Sequence, residues 1–199
     1  MSELLPQETH PPLFVGRNAE LRQLVAGLER ALEGRGGMFL LSGEPGIGKT
    51  RVAEQLALEA QKRGAAVHWG RSTLAEGAPP YWPWVHILRS VLRDVGDTEF
   101  RRLAGSALSR TLQVVPDLGG HFPDVTPTSI DDEQSRFGIY DSVTRLLLDA
   151  AGARPIVLVL DDLHWADTPS LRLESQLFGH PGLADAGLAA QEKHPSPAL

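Results

Sequence analysis

The residues best suited to chemistry in this sequence form two groups that are far apart along the chain. The first is the octapeptide Gly43-Glu44-Pro45-Gly46-Ile47-Gly48-Lys49-Thr50, which matches the pattern G-x-x-x-x-G-K-[ST] at every fixed position. Its glycines permit backbone conformations that turn successive N–H groups toward an anion, and the N-terminus of a following helix adds partial positive charge. We expect Lys49 to reach the β- and γ-phosphates of ATP and the Thr50 hydroxyl to bind Mg²⁺.

The second group is the acidic pair Asp161-Asp162, which follows the apolar run Ile156–Leu160. Such a run is typical of a parallel strand that is buried on both faces. A strand that ends in carboxylates can place an acid near a nucleotide-bound Mg²⁺. We expect Asp161 to serve the metal through a bound water, because Mg²⁺ loses its waters reluctantly, and Asp162 to orient or deprotonate the attacking water. Taken alone, the two acids fit a solvated strand end equally well, and the octapeptide favours the catalytic interpretation.

The sequence around the octapeptide predicts the elements that must position it. Met38–Ser42 is a short apolar run that predicts a strand before the loop, and Arg51–Ala60 has the composition of a helix after it. Arg51 is a further candidate phosphate contact because it directly follows the loop. Three aromatic or imidazole side chains near the two groups are expected to have structural roles: Trp82, Trp84 and His164.

Composition limits the class of protein. The 199 residues are 42% hydrophobic, which suits one α/β domain with a core of ordinary size. The absence of cysteine excludes disulfides, thiol catalysis and cysteine-based zinc sites, and it favours a cytoplasmic location. A net charge of −6 without a basic stripe argues against nucleic-acid binding by this chain, and no stretch has the length and hydrophobicity of a membrane span.

Four segments occur in an order that resembles one family. They are Phe14-Val15-Gly16-Arg17, the octapeptide, the aromatic turn Pro79–Trp84, and Leu158–Asp167 with the sequence LVLDDLHWAD. Together they resemble the STAND-type signalling ATPases of the AAA-related superfamily, as found in large LuxR-type transcription regulators and with some bacterial adenylate cyclases. The resemblance implies a P-loop NTPase fold, an ATP-controlled switch with slow Mg²⁺-dependent hydrolysis, and a place for Val15, Gly16 and Arg17 near the adenine or ribose. The segment Phe14–Arg17 fits a hydrophobic staple at the start of the following helix equally well.

The resemblance ends after Leu173. The sequence predicts a helix break over Glu174–Pro181, and no later apolar run predicts a strand. The family resemblance implies a sensor strand between the phosphate-loop strand and the strand that ends in Asp161, so its slot is expected to be unfilled. We therefore expect a flexible leader at 1–12, a partial P-loop ATPase domain at 13–173 and an irregular, disordered tail at 174–199. A lid domain is also expected to be missing, as in a truncated product, a frame-shifted end or a fragment.

Three function classes follow from these observations. The first is an ATP-binding regulatory module for signal transduction, with weak ATPase activity at most. The second is an inactive remnant or interaction fragment, and the third is an active AAA-type motor, which would need an arginine finger and a ring of subunits. The expected ligands are ATP, ADP and Mg²⁺, and the expected protein contacts are partners or self-association through the ATPase module.

Overall fold

The structure is a computed structural model, and it describes residues 17–74, 78–128, 133–183 and 188–194. Helices and strands alternate through these ranges. The helices are α1 (Asn18–Leu32), α2 (Lys49–Lys62), α3 (Trp82–Val95), α4 (Asp97–Ala104), α5 (Leu108–Val114), α6 (Glu133–Ala153) and α7 (Thr168–Phe178). The strands are β1 (Gly37–Ser42), β2 (Ala66–Arg71), β3 (Ile156–Asp161) and β4 (Leu188–His194).

The described strands form one parallel sheet in the order β1-β4-β3-β2. Within it, β2 pairs with β3 from Ala66↔Ile156 to Arg71↔Asp161. The carboxyl ends of parallel strands meet at one edge of a sheet, so the loop after β1 and the acids at the end of β3 lie at the same edge. The predicted α/β fold, a parallel sheet flanked by helices, is confirmed.

Strand β4 corrects the expectation that no strand follows Leu173. Residues 188–194 pair in parallel with β1 on one side, from Gly37↔Ala189, and with β3 on the other, from Ile156↔Leu188. The expected gap between these two strands is therefore filled. Pairing along both edges satisfies the backbone groups of β4, so the segment can form a strand without an apolar run.

Strand β3 separates two hydrophobic clusters, and all six of its residues are buried. Val157 and Val159 pack with α1 and α2 on one face of the sheet. Ile156, Leu158 and Leu160 pack on the other face, where α3 to α7 lie. This alternation confirms the prediction of a strand that is buried on both faces.

Helix α7 continues beyond the predicted break. It runs through Glu174 to Phe178 because Leu173 and Leu177, which are four residues apart, both lie fully in the core. Phe137, which the pattern of α6 places inward, is instead 58% exposed. The predicted leader at 1–12 lies outside the described residues.

Candidate functional site

The phosphate loop predicted from the octapeptide joins β1 to α2. Three of its glycines have positive φ angles: +148° at Gly43, +77° at Gly46 and +94° at Gly48. A residue with a Cβ rarely adopts these conformations. An added Cβ at Gly46 or Gly48 would meet nothing within 4 Å, so the backbone angle, and not space, requires glycine there. Helix α2 then begins at Lys49, directly after the loop, so the orphan N–H groups of its first turn lie next to the loop in the chain.

The Lys49 side chain lies across this loop. Its Nζ donates hydrogen bonds to the backbone oxygen of Gly43 at 2.5 Å and to that of Glu44 at 2.8 Å. Lys49 is buried, although lysine is seldom buried in proteins. The loop therefore holds one positive charge at the N-terminus of α2, which is the arrangement that attracts an anion.

The loop and the end of β3 share a cavity of 450 Å³. We call it the loop cavity. Its lining comes from the loop, the first turn of α2 and the segment after β3. The lining residues are Pro45, Gly46, Gly48, Lys49, Thr50, Arg51, Asp162 and His164. The structure thus brings most of the predicted phosphate-loop residues together with the second predicted acid.

The two acids point to different surroundings because the chain turns sharply between them. Asp162 has a positive φ of 59°, and it lines the loop cavity. Asp161 is only 2% exposed, and its Oδ2 accepts a hydrogen bond from Arg71 Nη2 at 3.1 Å. Sequence reasoning did not find this ion pair. The signal available was that β2 ends in a cation and β3 ends in an acid, and the register pairs these two residues.

Other predicted site residues lie outside the lining of the loop cavity. Gly43, Glu44 and Ile47 belong to the loop without lining the cavity. Arg17 precedes α1 with a φ of 54° and forms an ion pair with Glu20 at 3.6 Å. Val15 and Gly16 lie outside the described residues. His164, which was expected to be structural, is exposed and lines the loop cavity.

Asp167 connects two of the segments that carry the family resemblance. Its Oδ1 accepts a hydrogen bond from the Ser170 backbone N–H at 2.8 Å, which caps α7. Its Oδ2 accepts from the Ser170 hydroxyl at 2.7 Å and from the Tyr81 backbone N–H at 3.2 Å. Trp84 is fully buried, and its Nε1 donates to the Ser170 backbone oxygen at 3.0 Å. The aromatic turn is thereby fixed to the segment that follows the acids, and the structural role predicted for Trp84 is confirmed.

The residues at the loop cavity fit Mg²⁺ only in company with phosphate oxygens. Among the described residues, no group of three or more His, Cys, Asp or Glu side chains is arranged to hold a metal ion. Mg²⁺ in nucleotide sites is commonly held by one or two carboxylates together with substrate phosphates. Thr50 and Asp162 line the cavity, so this hydroxyl and this carboxylate fit a phosphate-bound Mg²⁺, whereas Asp161 does not line the cavity. In the described part of the chain, no helix is long and apolar enough to cross a membrane.

A glycine-rich loop between a parallel strand and a helix, with acids at the end of another strand of the same sheet, defines the P-loop NTPase fold. The AAA ATPase domain family matches residues 13–188, and the chain belongs to this family. Domains of this family bind nucleotide, generally with Mg²⁺.

No curated protein matches the chain. One similar solved structure is a chain in the structure of Drosophila ORC bound to DNA, with 14% sequence identity and a TM-score of 0.36. The match covers 99% of this chain and 48% of that chain, so this protein spans about half the length of the solved one.

Proposed function

We propose that this chain binds ATP with Mg²⁺ in the loop cavity and acts as a regulatory nucleotide-binding module with slow hydrolysis at most. The observation that carries the proposal is the cavity itself, because it joins Lys49 and Thr50 to Asp162 from the other side of the site. The regulatory role is supported by the resemblance of the aromatic turn and the LVLDDLHWAD segment to STAND-type ATPases.

Phosphate binding would use groups that are already in place. The loop presents backbone N–H groups, and the N-terminus of α2 adds its partial positive charge. The ammonium of Lys49 donates to two neutral backbone oxygens, and an anionic phosphate oxygen is a stronger acceptor than either. We therefore expect Lys49 to move its hydrogen bonds from the loop to the β- and γ-phosphates.

Thr50 and Asp161 are the proposed metal-side residues, and Asp162 is proposed to orient or deprotonate the attacking water. When bound, Mg²⁺ neutralises charge on the phosphate oxygens. The carboxylate of Asp162 lines the cavity and can accept a hydrogen bond from water there. Asp161 would reach the metal through a water while it keeps its hydrogen bond from Arg71.

Slow hydrolysis is supported by the origin of the positive charges that line the loop cavity. Lys49 and Arg51 are the cationic side chains among the described residues that line the loop cavity, and both belong to the first turn of α2. Fast P-loop ATPases add an arginine from another element or another subunit, which accelerates hydrolysis by a factor of about 10³–10⁵. Among the described residues of this single chain, no arginine from a second element lines the cavity, so the isolated chain suits binding of nucleotide more than rapid turnover.

The test is the affinity for ATP and ADP, measured calorimetrically with and without Mg²⁺. Lys49→Ala should lower the affinity by about tenfold or more, because hydrogen bonds to charged groups contribute roughly 1.5–3 kcal/mol. Lys62→Ala is the matched control, since Lys62 is an exposed residue in the last turn of the same helix, and it should leave the affinity unchanged.

Two further outcomes separate the alternatives. If wild type and Lys49→Ala bind nucleotide equally poorly, the chain is an inactive remnant or an interaction fragment. If wild type hydrolyses ATP at about 1 s⁻¹ or faster and Asp162→Asn abolishes that turnover, the chain is an active ATPase motor. The proposal requires measurable binding with turnover far below this rate.

A further inference from the structure

A second and larger cavity, of 1370 Å³, lies at the outer edge of β2. We call it the β2 groove. It runs between α2 and α3, and β2 and the turn Pro116–His121 complete its walls. Its volume exceeds the range of about 300–1,000 Å³ that is usual for small-molecule sites. The size of the groove therefore favours a polymer segment over a single metabolite.

One wall of the β2 groove is the open edge of a strand. β2 is the last strand in the sheet order, so in the described part of the sheet it pairs only with β3. The Ala66 backbone N–H donates to the oxygen of Pro155, just before β3, at 2.8 Å, and the Ser72 N–H donates to the oxygen of Asp161 at 3.0 Å. Backbone groups alternate between the two edges of a strand, so those of Val67, Trp69 and Arg71 face outward. All three residues line the groove.

The lining of the groove also carries more arginines than acids within an acidic chain, and three of these arginines have a carboxylate partner, in Glu54, Asp117 and Asp161. Four arginines line it, against two acidic residues: Arg51, Arg71, Arg89 and Arg93 against Glu54 and Asp97. The whole chain has a net charge of −6, so the groove lining has a higher proportion of basic residues than the chain as a whole.

Several guanidinium donors remain available to an anion in this groove. Arg89 donates one hydrogen bond to Asp117 at 2.8 Å, and Arg71 donates one to Asp161. A guanidinium has five N–H donors, so neither arginine is saturated by its carboxylate. Arg93 is exposed and forms no ion pair with any described residue. The groove also has an apolar part, in which Leu58 is 48% exposed.

We propose that the β2 groove binds an extended acidic segment of a partner protein, which adds a strand to the edge of β2. Main-chain hydrogen bonds to the outward groups of β2 would provide affinity, as in other cases of strand addition. Acidic side chains of the segment would form ion pairs with the arginines of the groove, and an apolar side chain would pack on Leu58. The six residues of β2 extend over about 20 Å, which accommodates a segment of similar length.

The test uses two labelled peptides of seven residues and measures fluorescence anisotropy. One alternates glutamate and valine, and the other alternates lysine and valine. The acidic peptide should bind at least about tenfold more tightly, because the arginines favour one sign of charge. Arg93→Gln should weaken this binding several-fold, whereas Arg145→Gln, a matched change of an exposed arginine outside the groove, should not.

A backbone-modified peptide separates strand addition from general attraction of anions. N-methylation of all the valines or of all the glutamates removes N–H donors from one edge of the extended peptide and leaves its charge unchanged. Strand addition predicts that one of these two peptides loses binding and that the other keeps it. Equal loss in both, equal binding of the lysine peptide, or displacement by free glutarate at peptide concentrations would each overturn the proposal.

The phosphate loop could itself attract an acidic peptide, and one variant removes this ambiguity. Lys49→Ala should bind the acidic peptide as wild type does, because Lys49 lies outside the β2 groove. Loss of peptide binding in this variant would place the peptide at the loop and refute the groove proposal. Arg51 lines both cavities, so the variants that separate the two activities are Lys49→Ala for nucleotide binding and Arg93→Gln for peptide binding.

Discussion

Substitution of Asp167 by alanine should destabilise the protein through a defined set of lost hydrogen bonds. The carboxylate accepts three of them, two from Ser170 and one from the Tyr81 backbone. Loss of the helix cap alone costs about 1 kcal/mol. The Ser170 hydroxyl is fully buried, and leaving a buried polar group without its partner costs a further 1–3 kcal/mol or so. The expected loss in the free energy of unfolding is therefore about 2–4 kcal/mol.

The assay is a double-mutant cycle, followed by circular dichroism in urea and by thermal unfolding. A domain of this size loses roughly 2–4 °C in Tm for each kcal/mol, so Asp167→Ala should lower Tm by several degrees. In the Ser170→Ala background the same substitution should cost at least about 1 kcal/mol less, because the buried hydroxyl is then gone. Asp141→Ala is the control, since Asp141 forms an i,i+4 ion pair with the exposed Arg145 and should contribute only about 0.5 kcal/mol.

Two results would refute this reasoning. The first is a loss below about 0.5 kcal/mol for Asp167→Ala, which is the range of ordinary surface substitutions. The second is strict additivity of the two substitutions, which would mean that Asp167 and Ser170 do not interact. A clear coupling would show that the Asp167 carboxylate and the buried Ser170 hydroxyl stabilise each other.

Two other predictions concern strand β2. Burial lowers the pKa of His68, so the unfolded chain binds a proton more readily, and stability should fall as the pH drops below about 6.5. His68→Gln should reduce the difference in urea midpoint between pH 7.5 and 5.5 without abolishing it, because the pKa of His86 is also lowered by burial, and an unchanged difference would contradict the assignment. Gly70→Ala should cost about 1–3 kcal/mol, since its Cβ would lie 2.5 Å from the Pro83 backbone oxygen. Gly37→Ala in β1, where an added Cβ meets nothing within 4 Å, is the control in thermal unfolding, and equal losses in both variants would disprove the steric cause.

The elements with local requirements were predictable from the sequence. The phosphate loop needs positive φ angles at Gly43, Gly46 and Gly48, and only glycine meets that requirement without strain. The apolar run of β3 reports burial on both faces, whatever the neighbouring strands are. Requirements of this kind depend on neighbouring residues in the chain, so they can be recognised from the sequence.

The features that depend on distant contacts were not predictable. Strand β4 contains Gln191, Glu192 and Lys193, and its pairing with two other strands overrides its weak strand propensity. The ion pair of Arg71 with Asp161 depends on the register of β2 against β3, which no single segment encodes. The different surroundings of Asp161 and Asp162 follow from one positive φ angle at an aspartate, a conformation that sequence alone does not fix.

The position of β4 between β1 and β3 has a consequence for folding during synthesis on the ribosome. The phosphate loop follows β1, yet in the described sheet β1 pairs with residues 188–194 and not with β3. The loop therefore emerges about 140 residues before the strand that joins it to the acidic side of the site. Contacts between such distant segments form slowly, because the entropy of closing a long loop must be lost before they can stabilise it. A nascent chain that has not yet exposed β4 would carry both halves of the site without the strand that joins them, so the site would be complete only once residues 188–194 have emerged.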